Sequence, residues 1–181
     1  LWENVLQAKT PNERPTMGTR NLTVVKDTDG EVVIAQYGQW DGYPSYTGAG
    51  IIGFLSDSQN VDYLKAGLHS TRFVSDEYVD KIYNEVTNRA GEEAFKEAYP
   101  SLTRDAGWQI LEIVRDKMNV PLVNSIDFAQ DELWCEGYYE VDFQTNKFIS
   151  KWNGMTIEHS LYALPMVEEY LKAFEIEMVG A

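Results

Sequence analysis

The chain has 181 residues, 15 of them basic and 29 acidic, for a formal net charge of −14 with both histidines neutral. A hydrophobic fraction of 44% with 24% charged residues is that of an ordinary globular domain and excludes a disordered chain. No apolar run reaches the roughly 20 residues that cross a bilayer, and the N-terminus lacks the basic-then-apolar order of a secretory leader. A soluble, cytoplasmic protein without a membrane partner is therefore expected.

Residues 1–16 read as an arm or upstream extension: Pro11 and Pro15 break any regular element after a short Trp2-Val5-Leu6 stripe, and a single domain is expected over residues 17–181. From residue 20 to 38 the pattern is a hairpin, with β-branched arms around Asp27-Thr28-Asp29-Gly30. The second arm is apolar on both faces, with Val33, Ala35 and Tyr37 on one and Val32 and Ile34 on the other, which predicts an interior strand.

The period then becomes helical. Residues 47–55 and 60–68 are short candidates, and Val79, Ile82, Tyr83 and Val86 repeat at helical spacing behind a Ser75 N-cap. A further helix over residues 92–99 ends at Pro100. Thr103 is expected to cap the next, whose apolar face is Ile110, Leu111, Val114 and Met118. Residues 132–143 and 147–152 read as a second hairpin, half exposed, with Leu133 and Cys135 on its apolar face. A last helix starts near Pro165 and buries Val167, Tyr170, Leu171 and Phe174. Together these predict an α+β fold: a mainly antiparallel sheet built from an N-terminal and a C-terminal hairpin, a helical middle and a C-terminal helix.

Chemistry concentrates in Gln36-Tyr-Gly-Gln-Trp-Asp-Gly-Tyr-Pro-Ser-Tyr-Thr-Gly48. Gln36, Gln39 and Asp41 offer directional hydrogen-bond groups, while Tyr37, Trp40 and Tyr43 offer flat surfaces; with Arg20 opposite on the first strand, they are the candidate ligand- or partner-binding residues. Two roles fit the segment. It is either a binding loop for a sugar, nucleobase or peptide, or a rigid corner in which Asp41 caps a turn and Trp40 and Tyr43 fill core. Arg20 and Asp41 could form an ion pair, an anion pocket or a structural bridge.

Elsewhere the signals are weaker. A lone Cys135 with only His69 and His159 gives no zinc set, and neither a phosphate-cradling Gly-rich loop nor a Gly-x-Ser-x-Gly turn is present, so no metal, cofactor or nucleophile is assigned. Glu136, Glu140 and Asp142 fall on one strand face, expected to be solvated. Scattered lysines and a net −14 oppose direct nucleic-acid binding and point to a partner protein with a basic surface, although the carboxylates also serve solubility.

The Met17-Gly-Thr-Arg-Asn-Leu-Thr23 start and the Ala35-Gln-Tyr-Gly-Gln-Trp-Asp-Gly-Tyr-Pro44 segment resemble a group of small uncharacterised bacteriophage and bacterial proteins, sharply over residues 17–55 and weakly beyond. That resemblance implies a phage or prophage setting and a shared fold, not a reaction, and it is what draws attention to Arg20 beside the segment. The expected function is that of a phage-associated acidic accessory protein acting by binding, inhibiting or modulating a host or phage protein in the bacterial cytoplasm. The alternatives are a small hydrolase or transferase with a pocket around residues 36–48, and a structural virion or assembly component.

Overall fold

The computed structural model describes residues 18–175, so the expected arm at residues 1–16 lies outside them. Two strands, β1 (Asn21–Lys26) and β2 (Val32–Gly38), form the first hairpin. Its turn is closed locally: Asp27 Oδ1 accepts from the amides of Asp29 and Glu31 at 2.9 and 3.0 Å, and Gly30 takes φ +85°.

A π-helical turn, Pro44–Gly48, runs into α1 (Ala49–Leu55), followed by α2 (Ser58–Leu68), which Asp57 caps through the Gln59 amide. A short strand, β3 (Arg72–Phe73), precedes α3 (Asp76–Ala90), where the Ser75 hydroxyl accepts from the Tyr78 amide at 3.3 Å. Gly91 at φ +89° separates α3 from α4 (Glu92–Ala98), and α5 (Ile110–Asp116) follows. Strand β4 (Pro121–Leu122) pairs with β3; then come β5 (Gly137–Asp142), β6 (Lys147–Trp152), β7 (Met155–Ser160) and α6 (Val167–Ala173).

The main sheet has the order β2-β1-β5-β6-β7, antiparallel throughout except that β1 and β5 run parallel. The α+β arrangement is thus present, with the two hairpin regions joined edge to edge through the strands that open each. One side chain row on the core face reads Ile34, Val25, Val141, Phe148 and His159. Helical residues Ile51, Ile52, Leu64, Ile110, Leu111 and Tyr170 pack in the same apolar cluster. A second, smaller cluster of Val79, Phe95 and Leu102 holds α3 and α4 apart from it. Among the described residues no helix is long and apolar enough to cross a membrane.

Four local expectations change. β2 is an edge strand, not an interior one; its two apolar faces are explained by loops that cover it, with the Ser125 amide donating to the Ala35 carbonyl at 3.0 Å and the Gln39 amide to the Arg104 carbonyl at 3.1 Å. β5 starts at Gly137, because Asp131 turns the preceding chain by accepting from the amides of Trp134 and Cys135, which leaves Leu133 exposed. Thr103 does not cap α5: its hydroxyl donates to the Pro100 carbonyl at 2.8 Å, and the extended Lys117 ends the helix before Met118, which is 72% exposed. Strand β7 is additional, and its signal is the dipeptide Asn153-Gly154, with φ values of +52° and +77° that suit a tight hairpin turn.

Candidate functional site

The stretch from Gln36 to Gly48 divides in two. Beyond Gly38 it is a packed corner. The Gly42 amide donates to the Thr19 carbonyl at 2.9 Å, its carbonyl accepts from the buried Tyr139 hydroxyl at 2.7 Å, and Asn21 Nδ2 donates to the Trp40 carbonyl at 3.1 Å. A Cβ on Gly42 would stand 2.7 Å from the Thr19 carbonyl oxygen, so this glycine serves close packing.

The aromatic residues Trp40 and Tyr43 of the corner lie outside the core. Trp40 donates its indole N–H to Asp105 Oδ1 at 3.2 Å, and Tyr43 packs its ring 5.6 Å from that of Trp152; both side chains are exposed. Asp41 is exposed at φ +54°, and it is its carbonyl, not its carboxylate, that is held, by the Thr47 hydroxyl at 2.7 Å. Nor does Asp41 pair with Arg20. The corner packs against the Cβ of Asn21, whereas alternation along the chain sends Arg20 to the opposite face with Leu22, where its guanidinium lies 4.3 Å over the Trp134 ring.

Before the corner, the strand itself borders a cleft of about 460 Å³ between the β2 edge, the first turn of α3 and the loops around residues 101–104 and 123–134. Arg20, Gln36, Tyr37 and Gln39 line it; Trp40 and Asp41 line a separate pocket of about 150 Å³ that Gln39 also borders. Tyr37 is the centre of the cleft wall. Its ring meets Phe128 edge-on at 4.9 Å, Arg104 stands 5.4 Å from its centroid, and its hydroxyl donates to Gln39 Oε1 at 2.7 Å. Burial raises the phenol above its ordinary pKa against the opposing pull of Arg104 and Arg20, so both guanidinium groups act on this one side chain.

Gln36, only 5% exposed, donates from Nε2 to the carbonyls of Tyr37 and Thr103, each at 3.1 Å, and its Oε1 has no hydrogen-bond partner. Asp76 and Asp131 also border the cleft, yet among the described residues neither arginine forms an ion pair with any carboxylate. Asp76, Arg104, Phe128 and Trp134 were not legible as site residues, since they lie on segments far from residues 36–48 in the chain. Trp134 carried the one available hint, an aromatic beside an acidic run.

The remaining candidates are accounted for by their surroundings. Burial, then Asp131 and Glu136, push the Cys135 thiol up to about 11, which keeps it protonated and poorly nucleophilic. His159 sits 5.9 Å from the Tyr170 ring, and burial lowers its pKa. Glu140 and Asp142 are not a solvated face: Glu140 is buried with the Lys26 ammonium at 2.9 Å and the Tyr138 hydroxyl, and Asp142 accepts from the amides of Gln144 and Thr145 at 2.9 and 3.0 Å. Glu136 alone of the three stays exposed, where it accepts from the Arg20 amide at 3.2 Å. Among the described residues no group of three or more His, Cys, Asp or Glu is placed to hold a metal.

A dense group of exposed carboxylates lies on α3 and α4. Asp76, Glu77, Asp80, Glu85, Glu92, Glu93 and Glu97 stand against Lys81, Arg89 and Lys96, and Lys81 and Lys96 are engaged by Glu85 and by Glu92 and Glu93. No protein family, curated protein or solved structure matches the chain.

Proposed function

We propose that the chain is a phage-associated acidic accessory protein that acts by binding, inhibiting or modulating a host protein through a basic surface on that partner. The observation that carries this reading is the α3–α4 pair, which presents its carboxylates to solvent while resting on its own small cluster of Val79, Phe95 and Leu102. An acidic surface of this kind accelerates encounter with a basic one and leaves dissociation to short-range contacts. The resemblance of residues 17–55 supplies the phage setting, and the bacterial cytoplasm is the compartment where such a protein would act.

The test is capture of a partner from host lysate on the immobilised full chain, then kinetics with the purified partner at two salt concentrations. Raising salt should slow association several-fold and change dissociation little, and Asp80→Lys with Glu97→Lys should slow association at low salt. An association rate indifferent to both would remove this reading.

A second reading is favoured by Asp76 and Asp131, two carboxylates in the same cleft as two arginines. A small hydrolase or transferase could use one as general base and a guanidinium to stabilise developing negative charge. It requires turnover of an anionic ester by the full chain that Asp76→Asn or Asp131→Asn abolishes.

A further inference from the structure

We infer that the cleft along the β2 edge is a binding site for a small anion that carries a flat aromatic ring and hydrogen-bond donors, of the chemical class of a nucleoside monophosphate. This goes beyond the docking of α3 and α4 on a protein partner and does not depend on it.

Three features of the cleft select that chemistry jointly. The first is its pair of cations. In a chain with nearly twice as many acids as bases, Arg104 beside the Tyr37 ring and Arg20 over the Trp134 ring line one cleft without forming an ion pair among the described residues. Guanidinium forks match the oxygens of a phosphate, and a dianion engages two of them better than a carboxylate does.

The second is flat apolar surface. Phe128 and Tyr37 meet edge-on, and Trp134, stacked by Arg20 on its ring, remains 42% exposed at the rim of the cleft. A volume of about 460 Å³ is that of an ordinary small-molecule site and admits a base with its sugar and phosphate. Aromatic faces of this kind stack nucleobases without regard to sequence.

The third is unspent acceptor capacity. Gln36, nine-tenths buried, is fixed by its amide nitrogen to the backbone carbonyls of Tyr37 and Thr103 and so braces the wall. Asp76 and Asp131 supply carboxylate acceptors in the cleft, and among the described residues neither is ion-paired with the arginines. Inorganic phosphate has no use for the aromatic wall, and a simple aromatic acid has few donors for the acceptors. A nucleoside monophosphate offers phosphate, flat base, and hydroxyl and amine donors together.

The experiment is titration calorimetry of the full chain with AMP, GMP, CMP and UMP, with adenosine, inorganic phosphate and tyrosine as comparison ligands. At least one nucleotide should bind with one-to-one stoichiometry, and its nucleoside and inorganic phosphate should each bind about tenfold more weakly or worse. Arg104→Gln and Trp134→Ala, both exposed side chains, should fold normally and each weaken the nucleotide by about tenfold. Glu97→Lys, which probes the acidic helices, should leave nucleotide affinity unchanged and so separates the two readings. The inference is overturned by no saturable binding of any of the four nucleotides. It is equally overturned by phosphate or tyrosine binding as tightly, or by an affinity indifferent to both cleft variants.

Discussion

The hydroxyl of Tyr139 donates to the carbonyl of Gly42 across 2.7 Å, tying the interior of the sheet to a corner 97 residues earlier in the chain. The bond is buried, and with the Gly42 amide on the Thr19 carbonyl it engages both backbone groups of that glycine. The corner in turn follows directly on Gln39, so the cleft inherits its rigidity.

Tyr139→Phe keeps the ring and strands the Gly42 carbonyl. A loss of about 1–3 kcal/mol is expected, the cost of leaving a buried acceptor unpaired. Urea unfolding would measure it, and hydrogen exchange at the Gly42 amide should speed up more than at amides in the α3–α4 pair.

Asp41 holds a left-handed backbone with a solvent-facing carboxylate. Asp41→Gly should therefore leave stability unchanged or raise it by up to about 1 kcal/mol, since glycine takes positive φ without steric cost. Because Arg20 lies on the other face, the double variant Arg20→Ala with Asp41→Ala should be additive within about 0.5 kcal/mol. A larger coupling in thermal unfolding would establish the bridge that the geometry lacks.

A methyl group at position 48 has nowhere to go. An added Cβ would stand 2.0 Å from the Tyr170 hydroxyl oxygen, which donates to Ser150 Oγ at 3.0 Å in the core. Gly48→Ala should cost about 1–3 kcal/mol through overpacking. Adding Tyr170→Phe should return part of that loss, a coupling that chemical denaturation of the four-member cycle would read.

Cys135 is protected by its setting. With its thiol raised from 9.0 to about 11 chiefly by burial, the thiolate fraction at pH 8 is about a hundredfold below that of an unperturbed cysteine. Alkylation of the folded protein should be slow by that factor and rise with an inflection near 11. The sign for stability follows from the same shift: the contribution is complete below pH 9, where the thiol is protonated in both states, and is lost as pH climbs from 9 toward 11. Cys135→Ala should flatten the alkaline limb of the stability profile across that interval.

Local chemistry made much of this protein legible. Asp27 and Gly30 close a turn with atoms a few residues apart, Ser75 caps α3 through an amide three residues on, and Pro100 follows the end of α4, because capping and turn geometry are short-range properties of the backbone. The α+β order of elements, and the singling out of Gln36, Tyr37 and Gln39, came from that level, whereas Arg20 was drawn in by the resemblance of residues 17–55. Tertiary structure alone decided that β1 pairs in parallel with β5, that β2 becomes the edge, and that Arg104, Phe128 and Trp134 close a cleft around Tyr37 while Trp40, Asp41 and Tyr43 turn away from it. These outcomes depend on which distant strands share hydrogen bonds and on which face each side chain then falls, and a periodic pattern in one segment carries no record of its register with another.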